Sequence, residues 1–171
     1  MSDDQDRVVT ALSGWVAEAA ELRYAAAGDP EGPVSLPPTE AGLDVVMASL
    51  LRVRKRLDRV EELLTNVIQA RGKLRQRVEA VESEYQQIWN ESLTSDPRLQ
   101  SREFVAPKEK YAHADLSSMK AKRLVLQMRA LAAEADSAFE VIRTAHKGLD
   151  SLRYDHVVLI RAATVMSSLE G

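Results

Sequence analysis

Apolar residues recur along this chain at alternating steps of four and three. One series runs Val46, Leu50, Val53, Leu57, Val60, Leu64, Val67, Arg71, Leu74, Val78, Val81, Tyr85, Ile88. Every member but Arg71 is apolar or aromatic, which is the signature of a heptad seam on one long helix. A second series of the same spacing runs Ala121, Leu124, Met128, Leu131, Ala135, Ala138, Ile142, Ala145, Leu149, Leu152, His156, Leu159, Ala163, Met166, with His156 as its single polar member. A third and shorter one, Val8, Leu12, Trp15, Ala19, Leu22, Ala26, predicts an N-terminal helix that Ser2 or Asp3 caps.

The punctuation between the seams divides the chain. Gly28-Asp29-Pro30 ends the first helix, and the prolines that follow, through Pro37-Pro38, hold an extended linker from which helix is excluded. Thr39 is placed to cap the long helix, and Gly42 so near its start predicts fraying there. Thr94-Ser95-Asp96-Pro97 stops it, and Pro107 suits the first position of the next helix. The predicted architecture is all-α. It has an acidic amphipathic helix within residues 1–27, a Pro/Gly-rich linker over 28–42 and a long helical hairpin over 43–171. Helices of about 43–93 and 107–169 form the hairpin, joined by a loop over 94–106. The first would hold roughly 50 residues and extend about 75 Å. Gly148 is expected to bend or break the second, since glycine costs about 1 kcal/mol against alanine in a helix interior.

With the turn near residue 100, facing positions sum to about 200, which sets Arg71 level with Met128 and Leu131 and leaves the segment beyond His156 for the N-terminal helix and Trp15 to cover. Met47, Leu51, Leu63 and Ile68 widen the first seam, and Phe139 and Val141 the second. Two helices cannot bury that width alone, so self-association into a homo-oligomer is expected.

Composition fits this architecture. Charged residues are 29% and aromatics 5% of the 171, and there is no cysteine, which excludes disulfides and thiolate metal sites. The acidic start lacks the basic and apolar regions of a signal peptide, and no run approaches the roughly 18 apolar residues of a membrane span. A cytoplasmic protein with no membrane partner is expected. No glycine-rich phosphate loop, nucleophile–base set or paired-carboxylate pocket is legible, so neither catalysis nor a cofactor is expected. His146 and Asp150 share a face but make a poor metal site, His156 reads as a satisfied core histidine, and His113 as an exposed turn residue.

Charge changes the picture more than composition does. Residues 1–44 carry two basic and nine acidic side chains, a net of −7, whereas residues 45–78 carry nine and three, a net of +6. Residues 79–96 are −5 and residues 97–129, with eight basic and three acidic side chains, are +5. Such blocks either attract a polyanion or match one another between packed copies. Arg71 admits three readings: a wet register-setting layer, an opening of the seam onto a ligand surface, or a salt bridge between subunits. Lys73, Arg75 and Arg77 continue the basic run, as phosphate contacts or as a solvated face. Around the loop, Arg98, Arg102, Lys108 and Lys110 interleave with Phe104 and Tyr111, the pairing of cations and rings that holds single-stranded nucleic acid. The alternative is that the two rings pin the loop to the bundle.

The basic helix Lys73 to Arg77, the polar loop with Glu103-Phe104, and the tail from Leu149-Asp150-Ser151-Leu152-Arg153 to Glu170-Gly171 resemble those of UvsY-type recombination mediators of tailed phages, over about residues 70–171. The resemblance implies an all-helical, ring-forming homo-oligomer. It would bind single-stranded DNA and work beside a recombinase and a single-strand-binding protein in the host cytoplasm, with Lys73, Arg75 and Arg77 as the DNA-contacting cations. The N-terminal helix and linker have no counterpart in it. The excess of arginine over lysine and the abundant alanine point to a high-GC genome, such as that of a phage of an actinobacterium. The expected function is therefore a non-enzymatic mediator that binds single-stranded DNA. The rival expectation is a structural or adaptor coiled coil, such as a phage assembly factor or an inhibitor of a host protein.

Overall fold

The computed structural model describes residues 3–27, 40–95 and 106–169. The fold is all-helical, with α1 Asp3–Ala27, α2 Glu40–Thr94, α3 Pro107–Ser117 and α4 Met119–Leu169. The two long helices, α2 and α4, pack against each other as the paired seams require. Helix α2 begins three residues earlier than expected, directly after the proline run, and Gly42 lies within it. Residues 28–39 of the expected linker and 96–105 of the expected loop lie outside the described residues.

The chain divides into two compact units, residues 1–68 with 137–171 and residues 69–136. In the first, α1 joins portions of α2 and α4. Val46, Val53, Leu57, Val60 and Val67 are buried on α2, and Ala138, Ile142, Ala145 and Leu149 on α4, so β-branched and leucine side chains share the core with alanines that shorten the reach of the facing helix. Leu12 and Ala19 of α1 are buried, and Leu63, off the main seam, is fully buried. The third helix thus covers part of the extra apolar width. Another part is shielded by charge, since the Arg143 guanidinium lies 6.0 Å from the centre of the Phe139 ring. Met47, Leu51, Ile68 and Val141 remain exposed. The docking of α1 is fixed at its polar edge by Glu18, which accepts from Arg59 Nε at 2.6 Å, while Arg59 also pairs with Glu62.

Gly148 does not break α4, and the helix runs through it to Leu169. A β-carbon there would meet Arg23 Nε of α1 at 3.6 Å, ordinary contact, so tertiary packing holds this turn against the low helix propensity of glycine. The break lies at Ser118 instead. Its φ of −91° and ψ of 3° leave the helical range between α3 and α4. The buried Ser118 hydroxyl donates to the Ala114 carbonyl at 2.7 Å, the back-bonding by which serine bends helices. Backbone pairing survives the bend, because Ser118 N–H reaches Ala114 O and Lys122 N–H reaches Ser118 O, each at 2.9 Å.

A second correction falls in the unit of residues 69–136. Arg71 lies level with Asp136, not with Met128 and Leu131. At one end of the unit Trp89 meets Asp115, close to the expected pairing, but Glu82 meets Arg129. From Trp89 to Arg71 is eighteen positions along α2, against twenty-one from Asp115 to Asp136, a segment that includes Ser118. The core of this unit is Leu74, Val81, Ala114, Val125, Met128, Leu131 and Ala135, most of it less completely buried than in the first unit.

Two outcomes follow for chemical denaturation. Ile142→Ala should lower stability by about 2–5 kcal/mol, against ~0.5 kcal/mol or less for the exposed Leu51→Ala. Gly72→Ala, which adds a methyl into open space, and Gly148→Ala should each raise it by about 0.5–1 kcal/mol.

Candidate nucleic-acid interface

Helix geometry separates the basic residues that the sequence places together. Lys73 and Arg77, four apart, share a face of α2, while Arg75 lies two positions from each and projects elsewhere. Arg75 instead turns to α4, where its Nη2 is 3.2 Å from Asp136 Oδ1. Arg71 Nε donates to the same oxygen at 2.6 Å, and its side chain is only 23% exposed. The polar layer of the seam is thus an ion cluster within one chain, two guanidiniums on one carboxylate. The hydrogen bond from Arg71 holds the Asp136 carboxyl below its usual range, partly offset by burial and helped by Arg75. Arg71 and Arg75 are therefore already engaged, whereas Lys73 and Arg77 are exposed.

The clearest arrangement of aromatics joins α2 to α3. Tyr111 stacks on Trp89 with ring centroids 6.0 Å apart and an interplanar angle of 11°. Trp89 Nε1 donates to Asp115 Oδ1 at 3.2 Å, which fixes the indole on α3. Tyr111 remains 52% exposed beside Lys108 and Lys110 of the same helix. Arg98, Arg102 and Phe104 lie outside the described residues. Trp89 gives no signal in the sequence because it is one residue off the seam. The rule that facing positions sum to 200 does, however, pair 89 with 111.

Beyond this stack, α2 and α4 leave a cleft of about 230 Å³ between Glu82, Tyr85 and Gln86 on one side and Lys122, Val125, Leu126 and Arg129 on the other. Arg129 Nε donates to Glu82 Oε1 at 2.6 Å within it.

The histidines serve structure. His156 Nδ1 must donate to the Leu152 carbonyl, 2.7 Å away, so the neutral ring offers Nε2 to the buried Ser49 hydroxyl at 2.9 Å. This satisfies both partners, as expected of a core histidine. His146 faces Glu61 at 3.3 Å, and Asp150 pairs with Arg153. No group of side chains that could hold a metal occurs among the described residues. His113 is on helix α3, not a turn, and its Nδ1 is buried without a hydrogen-bond partner. No helix is long and apolar enough to cross a membrane among the described residues.

Compared with known proteins, the chain matches no family model, and no curated protein or solved structure is significantly similar to it.

The Asp136 cluster yields a pH-dependent outcome. A carboxyl with a lowered folded pKa contributes stability that is present above its unfolded value, about 3.9, and lost as pH falls through the folded one. Asp136→Asn should therefore lower stability by about 1 kcal/mol at neutral pH, a figure reduced for partial solvent exposure. The gap between variant and wild type in urea titrations should narrow as pH falls through the lowered pKa of the folded state.

Proposed function

We propose that this protein is a non-enzymatic, helical single-stranded-DNA-binding protein whose contact surface lies on the unit of residues 69–136. One observation carries the reading: the half-exposed Tyr111 ring, stacked on Trp89 and flanked by Lys108 and Lys110. A base that stacks on Tyr111 extends an existing aromatic pair, while the lysines meet the phosphates on either side. Both contributions are indifferent to sequence. Lys73 and Arg77 add exposed positive charge on α2. Arg71 and Arg75 act at one remove, by holding the two helices together through Asp136. The resemblance to UvsY-type mediators supports a place in phage recombination or replication, next to a recombinase and a single-strand-binding protein.

A second reading rests on a different observation. Met47 and Leu51 on α2, and Tyr154, Val158 and Val165 on α4, expose apolar surface at helical spacing. This favours self-association, either as the oligomeric frame of a DNA-binding assembly or as the whole purpose of an adaptor coiled coil.

Fluorescence anisotropy with labelled oligodeoxythymidylate separates the readings. Binding should weaken steeply with salt, and Lys108→Ala and Lys110→Ala should each reduce the slope of log affinity against log salt by about one. Tyr111→Ala should weaken binding about tenfold, as for one lost base stack. Undetectable binding at low salt, or binding indifferent to salt, would remove the DNA reading. A light-scattering mass that answers to salt in its place would favour the adaptor.

A further inference from the structure

The first four turns of α4, with the end of α3, hold a feature the DNA reading does not use. From Leu116 to Ala133 the chain carries Lys120, Lys122, Arg123 and Arg129 and no carboxylate. Of these, Arg129 is matched by Glu82, while Lys120, Lys122 and Arg123 are exposed and have no ion pair among the described residues. Between them, Leu116, Met119 and Leu126 are exposed, Leu126 by 58%. Leu126 and Val125 also form the apolar wall of the cleft opposite Tyr85.

We propose that this face docks an acidic peptide segment of a partner protein, with one large apolar side chain of the segment seated in the cleft. The chemistry is complementary on both counts. Carboxylates answer three cations that have no ion pair among the described residues, and the cleft, at about 230 Å³, has room for one large apolar side chain. A nucleic-acid strand suits this face less well. Its exposed apolar side chains Leu116, Met119 and Leu126 carry no ring for a base to stack on, and a phosphate backbone gains nothing by covering them. The half-buried Tyr85 lies on the far wall of the cleft. Apolar anchors in a pocket rimmed by charge are how helical faces read short segments.

The test uses the full chain and two fluorescein-labelled peptides of aspartate and glutamate, one with a central phenylalanine and one with alanine in its place. The phenylalanine peptide should bind about tenfold more tightly than the alanine peptide. Lys122→Glu with Arg123→Glu should abolish binding of both. Leu126→Ser should remove the preference for phenylalanine and leave the weaker, charge-driven binding. All three positions are exposed, and circular dichroism with an unchanged melting profile verifies the fold of each variant. The proposal is overturned if neither peptide binds or if the two bind equally. It is also overturned if oligodeoxythymidylate binding falls as far as peptide binding in the double variant, which would assign the face to nucleic acid. Tyr111→Ala serves as the separating control: it should weaken the oligonucleotide and leave the peptide unchanged, so each proposal can fail without the other.

Discussion

A long helix in water has to hide one stripe of its surface, and α2 and α4 do so chiefly against each other. Everything else in the chain adjusts to that shared burial. The four–three spacing gives each helix a seam whose members all face one way, and each well-buried leucine, isoleucine or valine adds about 1.5–3 kcal/mol. Polar groups enter the seam only with partners supplied: His156 with Ser49 and its own helix carbonyl, Arg71 with Asp136. A guanidinium inside an apolar stripe would otherwise cost several kcal/mol. The pairing also makes the ion cluster specific, because only this register gives Asp136 both arginines at once.

Helices and their ends were legible because they depend on local pattern: periodicity, the proline run, Pro107 as a first helical residue. What could not be read depends on how distant segments meet. Gly148 looked like a weak point since its propensity is local information, whereas the α1 side chain packed over it comes from more than a hundred residues away. Ser118 gave no warning, because serine occurs throughout helices and bends them only when its hydroxyl is buried against its own backbone. The register of the two helices differs from the expected one, and with it the partner of Arg71. Asp136 flanks the second seam, where any charge looks solvated, so only the true register reveals its role.

The same distinction governs the candidate interface. Tyr111, Lys108 and Lys110 are close in sequence and were readable as a set, while the Trp89 that completes the aromatic pair belongs to another helix. Conversely, Lys73, Arg75 and Arg77 look like one basic strip in the sequence, but the turn of the helix sends the middle one to the opposite side, where it is tied to Asp136. Composition announces that positive charge is abundant. Only the geometry says how much of it is still free to attract a partner.

Helix α1 belongs to one unit, and most of the core side chains of the other are less deeply buried. Proteins open locally in cooperative segments, the least covered ones most often. Residues 69–136 should therefore exchange their amide hydrogens sooner than the three-helix unit, whose core remains shut. The unevenness of the packing is thus a division of labour: one portion guards the fold, and the other is allowed to breathe.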